Sequence, residues 1–539
     1  MSAHLAALLS RAAAEAPDRV ALVEARSGRR VTWAELDADA DRVARGLAAL
    51  GLVAGYRVAV ALPNRVELVA AYLGALRAGL VVVPVNPRSA TGELVRMLVD
   101  CGARLVLADV TTLTTVRQAV AGLQDALVGA DEDLRSRTVV PRVVALSAPG
   151  LPGESTYDQL VAGVGPQASP ALRLPEDAER LAVLLYTSGT SGRPRAAMLT
   201  HRALLANVEQ AAAVRPPLLT GDDVVLGVLP MFHVYGLNAV LGQVLRQRAR
   251  LVVVDGFDPE ETLGVVEDEA VTVLPVAPPV FVAWRGVPDL RARLAGVRLV
   301  LSGSAPLSPA VAAEFTARTG LEVHQGYGLT EAAPVVTSTL CSRGGLKPGS
   351  VGAPLPGVEL RLLDETGGAD AGDDPGEIWL RGDNLFSGYW PDGPGGPDAP
   401  DAEGWFATGD VGILDGDGDL ILVDRVKELV VVSGFNVYPT EVEDVLTELG
   451  SVAEAAVIGA PDERTGEAVV AYVRPVPGSS YSVDEVERQV REHCAVRLAR
   501  FKRPREVHVV EELPHTVIGK VAKGRLRARR RPDRPGLLG

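Results

Sequence analysis

The stretch LLYTSGTSGRPRAAMLTH, residues 184–201, sets an apolar run directly ahead of a loop of small hydroxyl residues and glycines, with two arginines just beyond. Leu184 to Tyr186 read as the end of a strand, and Ala196 to Asn207 read as a helix with His201 and Arg202 near its start. A glycine loop between a strand and a helix suits an anion. Gly189 and Gly192 let backbone N–H groups converge on one point, and the hydroxyls of Thr187, Ser188, Thr190 and Ser191 add donors. Arg193 and Arg195 add charge. The same composition also makes an ordinary turn, so the loop by itself leaves both readings open. It is not a Walker A loop, because the Gly519-Lys520 pair is followed by Val521 rather than Ser or Thr.

Around this loop the chain repeats one texture. From about 55 to 330, short β-branched runs such as RVAVAL (57–62), LVVVPVN (80–86), DVVLGVLP (223–230) and VRLVLSGSAP (297–306) alternate with Ala- and Leu-rich helical stretches. Strands apolar on both faces are buried on both faces, which predicts helix-covered, mostly parallel sheets. From 348 to 423 the pattern changes to closely spaced Gly and Pro with short strands such as GEIWLRG (376–382), predicting a small barrel-like β unit. Residues 391–404, PDGPGGPDAPDAEG, read as a polar loop of variable conformation. After 424 helices and strands resume, with Thr440 and Glu443 spaced as a capping box for EVEDVLTEL, predicting a small α+β unit. The fold class is therefore α/β, with a large first domain over 1–423 and a smaller one over 424–539.

With 539 residues, 47% of them hydrophobic, the chain can bury a large core. Its 54 basic and 68 acidic residues leave a net charge of −14, which argues against a broad nucleic-acid surface while leaving room for small anions. Cys101, Cys341 and Cys494 are far apart and form no C-x-x-C pair, so neither a disulfide framework nor a zinc ribbon is indicated and a cytoplasmic setting fits. The opening segment, MSAHLAALLSRAAAEAPDRV, is broken by Arg11 and Glu15 and reads as a surface helix rather than a leader. No run approaches the roughly 18 apolar residues of a membrane span, so membrane contact is at most peripheral. The basic string KGRLRARRRPDR (523–534) suits an anionic lipid, but reads first as a solvated terminus.

Taken in chain order, YTSGTSGRPR (186–195), PMFHVYGL (230–237), SGSAP (302–306), GYGLTE (326–331), GEIWLRG (376–382), TGD (408–410), DRVKELVVVSGFNVYP (424–439) and GK (519–520) resemble the motifs of adenylate-forming acyl-CoA synthetases, and within them bacterial fatty-acyl-CoA synthetases. The resemblance implies an acid–thiol ligase that uses ATP, Mg²⁺ and coenzyme A. A carboxylic acid, here a medium- or long-chain fatty acid, would first be exchanged for pyrophosphate on ATP and then passed as acyl-AMP to CoA. Two anions must then be brought together, which calls for fixed cations and oriented N–H groups.

On that resemblance Thr187, Ser188, Gly189, Thr190, Gly192 and Arg195 belong to the loop over the β- and γ-phosphates. Thr330 and Glu331 serve the phosphates, with Glu331 as the Mg²⁺ ligand; on spacing alone, Glu331 could equally be an acid at a helix start. Tyr327 matches the ring beside adenine, with Ser304 and Ala305 on the same side. Asp410 matches the carboxylate that takes the ribose hydroxyls, assisted by Arg425. Lys520 matches the lysine that reaches the α-phosphate and the substrate carboxylate, and Asp424 the hinge about which the small domain rotates. Ser433, Gly434 and Phe435 would then border the pantetheine path. His233 lies between the acyl and pantetheine paths, at the position where peptide-synthetase domains carry an aspartate, which disfavours an amino-acid substrate.

The pattern departs from the family at Arg195 and Ala196, where Lys and Gly are usual. Alanine at a position needing positive φ would cost about 1 kcal/mol. Three readings stay open: a CoA ligase, an acyl-AMP ligase serving an acyl carrier protein, and a non-catalytic acyl or nucleotide binder. Aryl acids such as hydroxycinnamates compete with fatty acids as substrate, since both need an apolar pocket.

Overall fold

The computed structural model describes residues 3–128, 132–162, 176–187, 195–363, 375–425, 428–432, 435–462, 465–479, 481–498, 500–515 and 520–530. Ser188, Gly189, Thr190, Gly192, Ser433 and Gly434 lie outside these residues, and Asp424, Arg425 and Phe435 are described by their backbone alone.

The β-branched runs form two seven-stranded sheets. One has the order Val323–Gln325, Leu299–Ser302, Val273–Val276, Val224–Gly227, Arg250–Val253, Val20–Glu24 and Arg29–Thr32, parallel throughout except for its last pair. The other runs Ser155–Thr156, Arg142–Leu146, Leu105–Asp109, Arg57–Ala61, Val81–Pro84, Leu181–Thr187 and Arg195–Thr200, and it too ends on one antiparallel edge strand. Strands such as Val81–Pro84 and Leu105–Asp109 are buried at every position, as expected for sheets covered on both faces.

Helix Val66–Arg77 is buried along its whole length. It packs on helix Trp33–Ala49 so closely that a Cβ on Gly74 would sit 2.7 Å from the Ala40 carbonyl oxygen, which glycine alone permits. Arg77, only 4% exposed, answers its burial by donating to Asp41, Asp37 and the Ser10 hydroxyl.

The third sheet is antiparallel and six-stranded, in the order Thr337–Ser338, Ser350–Pro354, Leu420–Arg425, Phe406–Leu414, Gly376–Arg381 and Glu359–Leu363. It begins earlier than the 348 read from the sequence, because Thr337 and Ser338 pair with Pro354 and Ala353. A small C-terminal α+β domain follows, with Val452–Asp462 and Gly466–Pro475 as its long central hairpin and helices Pro439–Thr447 and Val483–Arg497 beside it.

Three local expectations are corrected. Residues 195–200 form a strand rather than the first turns of a helix, so the Gly- and Ser-rich stretch connects two antiparallel strands and the helix His201–Ala212 starts only after Thr200 caps it. Ala196 is therefore extended and buried opposite Tyr186, and it carries no positive-φ penalty. The N-terminal helix Ala7–Glu15 is the expected surface helix, packing Leu8, Leu9 and Ala12 into the main core while Ser10, Ala14 and Glu15 stay exposed. Finally, helix Pro439–Thr447 starts before Thr440, and Glu443 accepts from the Val457 N–H at 2.6 Å and pairs with Lys523 at 2.8 Å instead of closing a capping box. Among the described residues no helix is long and apolar enough to cross a membrane.

Candidate active site

Parallel strands present their C-terminal ends to one edge of a sheet, where the following loops are free to hold a ligand. The sequence-derived site residues lie just past such ends. Thr187 closes strand Leu181–Thr187, and His233 follows Val224–Gly227. Ser304 and Ala305 follow Leu299–Ser302, and Tyr327 follows Val323–Gln325. Ser304 takes a left-handed φ of 74°, turning the chain sharply at that edge.

Asp410 and Tyr327 meet directly. The Tyr327 hydroxyl donates to Asp410 Oδ2 at 2.6 Å, and both residues are more than nine-tenths buried. Asp410 also faces Arg425 in register across strands Phe406–Leu414 and Leu420–Arg425. The residues matched to adenine and to ribose therefore share one corner.

Thr330 and Glu331 form a single 3₁₀ turn that ends at Ala333 with φ 63°. The segment is held by buried side-chain amides. Asn384 donates to the Ala332 carbonyl at 2.8 Å and Asn238 to that of Ala333 at 2.7 Å. Asn207 exchanges two bonds with Val335, donating to its carbonyl at 2.7 Å and accepting from its N–H at 3.1 Å. No local sequence signal marks these asparagines, which act only where the fold assembles them. Asn64 does the same for the His233 loop, donating to the Leu229 carbonyl at 2.9 Å and accepting from the Met231 N–H at 2.9 Å. Replacing Asn207 by alanine strands a buried N–H and carbonyl, and we expect about 2–3 kcal/mol lost from unfolding stability, read as a lower denaturant midpoint. An unchanged midpoint would refute the cradle.

His233 ties the two ends of the chain together. Its imidazole is pushed down to about 4, first by burial and then by the positive charge of Lys520. The charge of Lys520, carried by the C-terminal domain, is thus felt at the His233 imidazole. The neutral ring tilts against Phe232 at 4.4 Å, and its Nε2 is buried without a hydrogen-bond partner among the described residues. The Arg195 guanidinium faces Tyr389 and Asp398 in this conformation.

Residues 9–390 match the AMP-binding enzyme family, and residues 441–520 match the AMP-binding enzyme C-terminal domain. The chain belongs to the AMP-binding enzymes. It is 35% identical to 4-coumarate–CoA ligase-like 9 of Oryza sativa subsp. japonica, covering 95% of this chain and 90% of that protein. It is 34% identical to the long-chain-fatty-acid–CoA ligase of Bacillus subtilis (strain 168), covering 97% and 94%. The crystal structure of ATP-bound MatB from Rhodopseudomonas palustris superposes with a TM-score of 0.85 at 32% identity, covering 98% of this chain and 99% of that one. This AMP-binding enzyme is accordingly an adenylate-forming acid–CoA ligase that uses ATP, Mg²⁺ and CoA.

Proposed function

We propose that the chain converts a medium- or long-chain fatty acid to acyl-AMP and passes the acyl group to CoA. The observation that carries this reading is the corner at the strand ends where the Tyr327 hydroxyl donates to Asp410 at 2.6 Å, next to the loops that carry Ser304, Ala305 and His233; Lys520 is the cation we assign to the substrate carboxylate and the α-phosphate. Thr187, with residues 188–192, would cradle the outer phosphates, Tyr327, Ser304 and Ala305 the adenine, and Asp410 with Arg425 the ribose. The hydroxyl and carboxylate of Thr330 and Glu331 are hard oxygen donors that fit Mg²⁺. Bound there, Mg²⁺ supplies charge neutralisation on the phosphate oxygens.

We assign the acyl body to the neighbourhood of Tyr235, whose ring packs so closely on Gly303 that a Cβ there would fall 2.9 Å from it. The stretch Val234 to Leu241 carries no charged side chain, so a second carboxylate or an ammonium on the substrate would find no partner along it. An aryl acid is the second reading, since several relatives are named as 4-coumarate–CoA ligases. For the second half-reaction the domains, 1–423 and 424–539, would rotate about Asp424, bringing Ser433, Gly434 and Phe435 toward the adenylate in place of Lys520.

Incubation with Mg-ATP, CoA and a panel of fatty and aryl acids, read by mass spectrometry, tests the reading. Thioester from saturated acids of one chain-length class is the expected result. Thioester from hydroxycinnamates alone would replace it with the aryl reading, and adenylate that accumulates despite CoA would assign the acyl group to a carrier protein.

A further inference from the structure

The sequence reading places Arg195 on the phosphates, yet the structure turns its guanidinium elsewhere. It lies 3.7 Å from the centroid of the Tyr389 ring, donates to Asp398 Oδ2 at 2.6 Å and to the Pro397 carbonyl at 3.2 Å. Tyr389 in turn donates its hydroxyl to Glu331 Oε1 at 2.5 Å. A continuous line of contacts therefore runs from Asp398, through Arg195 and Tyr389, to the carboxylate matched to Mg²⁺.

The backbone supports the same line. Segment 387–390 runs along the outer edge of strand Arg195–Thr200: Ser387 N–H donates to the Met198 carbonyl at 3.0 Å, Met198 N–H to that of Gly388 at 3.0 Å, and Trp390 N–H to that of Ala196 at 2.9 Å. Next to it, Phe386 N–H donates to the Glu331 carbonyl at 2.8 Å, and the Phe386 ring meets Tyr389 edge-on at 4.9 Å. One short segment thus fixes Glu331 both at its backbone and at its side chain. It also flanks the strand into which the phosphate loop feeds.

We propose that residues 386–398 form a latch in which Tyr389, Arg195 and Asp398 are positioning residues that hold the Glu331 carboxylate for Mg²⁺-ATP. The inference rests on the assignment of Glu331 to that ion. It also gives a physical account of arginine where the family pattern has lysine. A planar guanidinium can lie flat on a ring and fork toward Asp398 and the Pro397 carbonyl at once, whereas an ammonium is a point charge without a face. A carboxylate ligand held by a hydrogen bond keeps its orientation before the ion arrives, so less ordering remains when it binds.

Calorimetric titration of ATP and of AMP, each with and without Mg²⁺, separates the latch from the reading it rests on. In the unmodified protein Mg²⁺ should tighten ATP binding, and Glu331→Gln should remove that gain; a gain that survives Glu331→Gln overturns the metal assignment itself. With that control met, Tyr389→Phe is expected to reduce the Mg²⁺-dependent gain about tenfold, and Asp398→Ala to reduce it several-fold. Arg195→Lys should retain more of the gain than Arg195→Ala. Metal-free AMP affinity and the melting temperature should stay near those of the unmodified protein in every case. A full Mg²⁺ gain in Tyr389→Phe overturns the latch. So does an equal loss of AMP binding and thermal stability across the variants, which would make the contacts merely structural.

Discussion

Replacing Lys520 with alanine is expected to lower adenylate formation from acid and ATP by about three orders of magnitude while leaving thioester formation from preformed acyl-AMP near its original rate. The size follows from the task. Two anions are forced together in the first half-reaction, and a preorganised cation aimed at the developing charge is worth several kcal/mol where water is excluded. The selectivity follows from position: the charge of Lys520 reaches His233 in this arrangement, and the proposed rotation about Asp424 withdraws it before the thiol arrives. A second readout comes with the same variant. Since the Lys520 charge helps hold the His233 imidazole down at about 4, its removal should let that imidazole titrate at higher pH, visible as a shifted ring-proton resonance. Single-turnover assays of each half-reaction decide the matter. An equal loss in both would sink the division of labour between the two faces of the C-terminal domain.

The candidate site was proposed from contiguous motifs, and the fold brings Tyr327 and Asp410 of two of those motifs into contact. The two parallel sheets were legible in the sequence, since strands such as Val81–Pro84 are apolar on both faces and announce burial without knowledge of their neighbours. The misread segments are those whose conformation is set by partners remote in sequence. RAAMLT (195–200) has helix-forming alanines, yet it is a strand because Leu181–Thr187 pairs with one edge and residues 387–390 with the other. Residues 391–404, read as a polar Pro- and Gly-rich loop, are a series of turns, with Gly393, Gly395 and Gly404 at positive φ, and Arg195 is bound to Asp398. Tyr389 gave no signal as a functional residue, because its link to Glu331 spans parts of the chain that only the fold brings together. The asparagines at 207, 238 and 384 were silent for the same reason.

Folding stability should fall steeply as pH drops from 6.5 toward 5, well before most carboxylates titrate, because two histidines are buried in contact. His4 and His201 are 0% and 2% exposed, and their ring centroids are 3.9 Å apart. His4 Nδ1 accepts from the Ala6 N–H and His201 Nδ1 from the Leu5 N–H, so both rings are neutral and anchor the start of the N-terminal helix. Burial pushes His4 down to about 4 and His201 down to about 3, and the charge of Arg180 adds to both. The sign follows from linkage. Each group binds its proton more readily in the unfolded chain, so the stability due to the neutral pair is complete above about pH 6.5 and is lost as pH falls toward the folded values. At pH 5 the two together cost roughly 4 kcal/mol, since each pH unit below 6.5 is worth about 1.4 kcal/mol per group. Replacing His4 by leucine keeps an apolar filler and removes one of the two protons, so the slope of stability against pH between 6.5 and 5 should flatten by about 1.4 kcal/mol per unit. Scanning calorimetry across that range provides the test. A slope unchanged by His4→Leu would mean that other groups carry the acid sensitivity and that the histidine pair takes up its protons without opening the fold.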